Sequence, residues 1–340
     1  MKPRILLIYT GGTIGMMEDP SSRQLRPFDF SSLSNQIPEL NKLDIQLEAV
    51  AFAKPIDSSN MNPQIWAEMA TSVYNRYDEF DGFVILHGSD TMAYTASALS
   101  FMLENLNKPV ILTGSQLPIG TIRTDGKENI ITAMEIAAAG KRENISIPEV
   151  CIYFEFSLHR GNRTTKISAS HFNAFHSGNY PLLAEAGVTI KYNLQSIRKI
   201  PNQKLQLHVK MDNQVAILKL FPGISREVVS AVLSNASVKG IVLETFGSGN
   251  GPTDAFLIDE IKKSIAAGKI VVNVTQCKSG TVIQGKYETS AHFKEAGVIS
   301  GNDMTTEAAL TKLMHLLGRG FDQKKIAVAF ATDFCGEISL

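Results

Sequence analysis

Cysteine is scarce in this sequence. There are three in 340 residues, Cys151, Cys277 and Cys335, far apart and never in CxxC spacing. That argues against a disulfide framework and a zinc site, and makes a reduced, cytoplasmic location the expectation. A surplus of charge is also missing: Lys+Arg and Asp+Glu both number 33. Bulk charge therefore offers no hold on nucleic acid or on a membrane surface. No apolar run is long enough to span a bilayer. Lys2 and Arg4 before Ile5-Leu6-Leu7-Ile8-Tyr9 have the outline of a signal peptide. The run is short, however, and ends in Thr10-Gly11-Gly12 without a small-residue cleavage site, so it reads as a buried first strand. Repeats and low-complexity tracts are absent.

What is present is enough apolar material, 44% of residues, for packed cores, and a length suited to two domains. Short apolar runs at 5–9, 82–86, 110–112 and 150–154 alternate with helical patterns. One helix follows Ser59 or Asn62 as cap, with Pro63 in its first turn and Ile65, Met69, Val73 and Tyr77 as its apolar stripe. A second, 91–106, is apolar nearly all round. A third starts at Asp125 and is expected to end at Gly140. Such alternation predicts a parallel sheet covered on both faces. Residues 191–214 are polar and partly alternating, and read as an interdomain connection. Beyond them strands at 215–220, 240–243 and 270–274 alternate with helices at 225–234 and 254–267, and a further helix spans 305–317. The expected architecture is α/β with two α/β domains: a larger parallel-sheet domain over 1–190, then, after the 191–214 connection, a smaller flavodoxin-like domain over 215–340.

Ligands of open parallel sheets gather at the carboxyl ends of strands, and four such ends carry unusual loops. Thr10-Gly11-Gly12-Thr13-Ile14-Gly15 is a glycine turn. A phosphate cradle is one reading, weakened by the missing P-loop lysine and by a loop-like 16–24 instead of an immediate helix. A plain turn is another. Two threonine hydroxyls presented by the turn also suit a nucleophile. His87-Gly88-Ser89-Asp90-Thr91 either caps the next helix or relays a proton and holds an ammonium. His87 itself reads as structural. Asp57-Ser58-Ser59 fits capping and substrate binding equally. Arg160-Gly161-Asn162-Arg163-Thr164-Thr165-Lys166, taken alone, reads as a charged surface loop, although a lysine at a strand end suits a cleft.

These motifs together resemble those of the bacterial type I, cytoplasmic L-asparaginases. Thr10–Gly15 and Gly88–Thr91 are similar to the two signatures of that family. Ile56-Asp-Ser-Ser-Asn-Met61, Thr113-Gly-Ser-Gln116, residues 160–166, Gly247-Ser-Gly-Asn250 and Thr275-Gln-Cys277 match in order. The resemblance implies hydrolysis of the side-chain amide of L-asparagine, with Thr13 attacking to form a β-aspartyl ester. It implies Ser89, Asp90 and Lys166 as the second catalytic set. Asp57, Ser58 and Ser59 would hold the substrate's α-carboxylate and α-amine, and Ser115 would stand near the reacting amide. It further implies no metal or cofactor, and a homodimer or homotetramer whose site is completed by Asn250 of a neighbour. Physically, a hydroxyl at neutral pH needs a proton acceptor nearby, and a lysine linked to Asp90 through Ser89 would polarise one.

Two departures stand out. The family usually has threonine where this chain has Ser89. Some relatives carry a tyrosine in the loop after the first motif, where residues 16–30 have none and Leu25 is nearest to its place. An effector site known in some type I enzymes would involve Thr165, Cys277 and an arginine; that arginine is Glu244 here, which would repel an effector carboxylate. Cys277 is expected to be a buried small side chain. Two other readings compete: an ammonia-generating subunit of an amidotransferase, which would bring an added domain and a basic surface, and a non-catalytic amino-acid-binding protein.

Overall fold

The computed structural model describes residues 1–18, 25–27, 37–285 and 288–339. The chain divides into two compact units, Met1–Val209 and Lys210–Leu340. The division falls inside the segment read as a connection. Within that segment Gln206–Leu207 pairs antiparallel with Leu103–Glu104.

The first unit is built on an eight-stranded sheet. Its strands are β1 Arg4–Gly11, β2 Gln46–Ile56, β3 Gly82–Leu86, β4 Val110–Thr113, β5 Val150–Phe154, β6 Ser157–Arg160, β7 Ala184–Ala186 and β8 Ile190–Tyr192. The order is β8-β7-β6-β5-β4-β3-β1-β2. From β2 to β5 all neighbours are parallel; β6, β7 and β8 continue antiparallel. The chain thus runs from β1 outward to β2, then returns to place β3 on the other flank of β1. That reversal is the topological switch point of the sheet, where open α/β sheets form a crevice at their carboxyl ends.

Strands β3, β4 and β5 are buried at every position, which is why they read as unbroken apolar runs. Along β1, Ile5, Leu7 and Tyr9 join Val84, Leu86 and helix residues Ile130, Ala133, Met134 and Ala137 in one core. Each such aliphatic side chain contributes about 1.5–3 kcal/mol by leaving water. The helices are α1 Pro63–Asn75, α2 Met92–Met102 and α3 Gly126–Arg142. Asn62 caps α1, accepting from the N–H groups of Gln64 and Ile65. Tyr77 lies beyond α1, in the turn Tyr77–Glu79. Gly140 does not end α3, which runs two residues further and stops at Glu143. A Cβ at Gly140 would meet nothing closer than 3.8 Å, so this glycine serves no close approach there.

The second unit is a four-stranded parallel sheet in chain order: β9 Val215–Lys219, β10 Gly240–Thr245, β11 Ile270–Thr275 and β12 Ile299–Ser300. Its helices are α4 Arg226–Leu233, α5 Ala255–Ala266, α6 Glu288–Glu295, α7 Thr306–Gly318 and α8 Gln323–Phe330. Period-two alternation divides two cores between the faces. Ile241 and Leu243 of β10 pack with α4 and α5; Val242 packs with α7 and α8. A sheet covered on both faces is the flavodoxin-like arrangement expected from the alternating elements. Among the described residues no helix is long and apolar enough to cross a membrane.

Candidate active site

Three strand ends of the first unit meet at the switch point, and glycines let them meet. Gly11 and Gly12 follow β1 with φ of +130° and +90°, values that favour glycine. A Cβ on Gly11 would lie 2.2 Å from the carbonyl oxygen of Ile56, at the end of β2. A Cβ on Gly12 would lie 2.4 Å from the backbone nitrogen of Gly88, after β3. A Cβ on Gly88 would lie 2.5 Å from Oγ of Ser58. The turn after β1 is therefore packed backbone to backbone against the ends of β2 and β3, and the Ser58 side chain presses on Gly88.

Thr13 opens a 3₁₀ turn, Thr13–Gly15, and is half-buried. The turn is held by Tyr9, whose hydroxyl donates to the Gly15 carbonyl at 3.1 Å. Thr10 points elsewhere: its hydroxyl donates to the Leu86 carbonyl at 2.8 Å and ties β1 to β3. Of the two threonines in the motif, Thr10 is thus committed to the sheet. After Gly15 the chain pairs as a short antiparallel ribbon, Met16–Glu18 with Leu25–Pro27. The remainder of the tyrosine-free segment, 19–24 and 28–30, lies outside the described residues.

Ser58–Asn60 form a turn capped by Asp57, whose Oδ1 accepts from the Ser59 N–H at 2.9 Å. Ser58 is buried, while Asp57 and Ser59 are exposed. Thr91 donates to the Ser58 carbonyl at 2.7 Å, joining this turn to Ser89–Thr91. Lys166 reaches the same place from the hairpin Thr165–Lys166/Phe175–His176. Its Nζ donates to Ser89 Oγ at 2.8 Å and to Asp90 Oδ1 at 2.6 Å. The lysine side chain is 15% exposed and the Asp90 side chain 67%.

Ser115 is buried and donates to the Leu117 carbonyl at 2.6 Å. Its Cβ stands 3.3 Å from where a Cβ on Gly126 would be, and Ile14 stands 3.2 Å from that point. Ser115 thus adjoins the first motif. Asp125, before α3, does not cap its helix with its side chain. Its carboxylate accepts instead from the N–H groups of Gln116 and Leu117 and from Asn129, fixing the Ser115 loop. The sequence reading gave Gln116 only as the end of the Thr113–Gln116 motif and Asp125 only as a helix start; the bonds that join them appear in the fold.

His87 is fully buried. Its Nδ1–H donates to the Gly88 carbonyl at 2.6 Å, and its Nε2 accepts from Thr95, itself an acceptor for Trp66 Nε1. Burial lowers its pKa to about 4. It is a structural post under the Gly88 turn. The surface-loop reading of residues 160–166 is overturned: Arg160 is buried in an ion pair with Glu149 and lies over the Tyr180 ring, and Arg163 is buried too. Glu149, the Tyr180 ring and the Ser196 carbonyl, not solvent, accommodate the Arg160 charge. Thr165 is buried beside Lys166.

Asn250, Glu244 and Cys277 lie in the second unit. Asn250 closes a turn on Phe246 through two backbone hydrogen bonds of 2.8 Å; Thr275 and Asn273 brace that turn at the Gly247 and Gly249 carbonyls. Glu244 receives Thr306 at 2.6 Å and pairs with Lys219 at 3.3 Å. Cys277 is exposed, contrary to expectation. It lies past the end of β11, and its N–H donates to Thr275 Oγ1. Among the described residues no cluster of His, Cys, Asp and Glu has metal-binding geometry.

Comparison with known proteins identifies relatives along the whole chain. The family described as Asparaginase, N-terminal, matches residues 4–198, and the Glutaminase/Asparaginase C-terminal domain matches 214–330. The chain is 42% identical over 342 residues to L-asparaginase 1 of Escherichia coli (strain K12), covering 99% of this chain and 98% of that one. It is 40% identical to the 60 kDa lysophospholipase of Mus musculus, covering 99% of this chain and 63% of the relative. The crystal structure of L-asparaginase I from Vibrio cholerae superposes with a TM-score of 0.91 at 38% identity, over 100% of both chains.

Proposed function

The chain belongs to the asparaginase family, and on that ground we propose that it hydrolyses L-asparagine to L-aspartate and ammonia. It is an amidohydrolase acting on a linear amide. In this reading Thr13 Oγ1 attacks the side-chain amide carbon and forms a β-aspartyl ester. The amide nitrogen leaves as ammonia, and water then cleaves the ester and restores the threonine. The Thr13 hydroxyl gives up its proton as it attacks, and the departing amide nitrogen takes one up. Asp57, Ser58 and Ser59 take the α-amine and α-carboxylate of the substrate, and Ser115 stands by the reacting amide. The mechanism calls on no metal or cofactor. The expected assembly is a homodimer or homotetramer in the cytoplasm, with Asn250 of a neighbouring subunit completing the site.

The observation that carries this reading is the Lys166 ammonium donating to both Ser89 and Asp90, one residue from the glycine packed against the Thr13 turn. The test is incubation with L-asparagine and measurement of both products. Ammonia and aspartate in equal amounts are expected. Binding of asparagine without ammonia release would replace the enzyme with an amino-acid-binding protein.

A further inference from the structure

Ser89 lacks the methyl group that would restrict χ1 of a threonine. Its hydroxyl nevertheless has two partners of fixed sense. An ammonium can only donate, so Ser89 Oγ accepts from Lys166 at 2.8 Å. Its own hydrogen goes to Oε1 of Gln116 at 3.1 Å. The sense of the Gln116 amide is set at its other end, where Nε2 donates to the His171 carbonyl at 2.9 Å. A flipped amide would set two oxygens face to face. The Gln116 backbone is pinned in turn, its N–H shared by both oxygens of Asp125 at 2.9 and 3.1 Å. His171 lies in the turn of the hairpin that presents Lys166, and Ser168 Oγ holds that turn by accepting from the N–H groups of Ser170 and His171.

We propose that Gln116 is a positioning residue for the asparaginase reaction, its amide oxygen orienting the Ser89 hydroxyl and its amide nitrogen holding the Lys166 hairpin. It supplies the restraint that the absent methyl group does not. The inference rests on the asparaginase reading and adds to it a residue that acts only through Ser89 and Lys166.

The test is a double-mutant cycle in steady-state kinetics. Gln116→Met removes both hydrogen bonds. Gln116→Glu keeps an acceptor for Ser89 and loses the hydrogens offered to His171. Ser89→Thr restores the methyl group. Gln116→Met is expected to lower kcat roughly tenfold to a hundredfold with KM within about threefold, the pattern of an interaction used in the transition state. In the Ser89→Thr background the same change should cost at least about fivefold less. Gln116→Glu keeps the acceptor for the Ser89 hydroxyl and should retain more of kcat than Gln116→Met does. Wild-type kcat in Gln116→Met, or an equal loss in both backgrounds, would overturn the proposal. Thermal unfolding of each variant is followed in parallel. If Gln116→Met does not fold, Gln116→Glu decides: a kcat loss no smaller in the Ser89→Thr background than beside Ser89 overturns the proposal. A wild-type protein that releases no ammonia would instead remove the asparaginase reading itself, a result separate from a working enzyme indifferent to residue 116.

Discussion

At the scale of single residues, chemistry and support divide in a way the side-chain types do not announce. His87 sits in the second signature like a general base, yet both ring nitrogens are spent on Gly88 and Thr95. Burial lowers its pKa from 6.5 to about 4, and burial together with the nearby charge of His176 does the same for His159. Between those values the unfolded chain binds protons that the folded chain refuses. Stability is therefore fully present above about pH 6.5 and falls as the pH drops toward 4, by on the order of a few kcal/mol per histidine. Nδ1 of His159 is buried with no hydrogen-bond partner among the described residues, so His159→Leu should flatten the acid side of a stability–pH curve measured by urea unfolding. An unchanged slope would refute this assignment. Thr13, Ser89, Asp90 and Lys166 entered the sequence reading through contiguous motifs that resemble those of a family, and the fold brings Lys166 to Ser89 and Asp90. Gln116 was not legible as a bridge: its partners lie 27 and 55 positions away. Cys277 was misjudged because residue type speaks for burial and only the end of β11 shows exposure.

At the scale of elements, the site exists because three strand ends approach more closely than side chains permit. Gly12 is the tightest test of that idea. Gly12→Ala brings a Cβ to 2.4 Å from the Gly88 nitrogen at φ +90°. The positive φ alone costs about 1–2 kcal/mol, and the contact forces the Thr13 and Ser89 turns apart. Turnover should fall by at least about a hundredfold, with a lower unfolding midpoint. A variant with wild-type activity and stability would show that the turns do not depend on this contact. The strands nearest the site were readable because burial on both faces makes them unbroken apolar runs. Strand β2 was not: it is the sheet edge, most of its residues are exposed, and Pro55 lies within it. The antiparallel extension β6–β8 was missed for a related reason, being short strands of mixed exposure.

At the scale of the whole molecule, two α/β units were visible as two stretches of alternation, and the point of division was bracketed by 191–214 without being fixed within it, since that segment has extended residues with partners of their own. The reading predicts an obligate homodimer at least; an active monomer in sedimentation at assay concentration would rule it out. It also predicts hyperbolic kinetics in asparagine. By the resemblance, an effector carboxylate would need a cation at position 244; Glu244 is there instead, bonded to Lys219 and Thr306. A sigmoidal rate curve that Cys277→Ala makes hyperbolic would contradict this. The central claim is that the hydroxyl of Thr13 cleaves the amide, and ammonia release by Thr13→Ala tests it most directly. The account predicts a folded protein whose turnover of L-asparagine is lower by several orders of magnitude; retention of more than roughly a tenth of wild-type activity would contradict it.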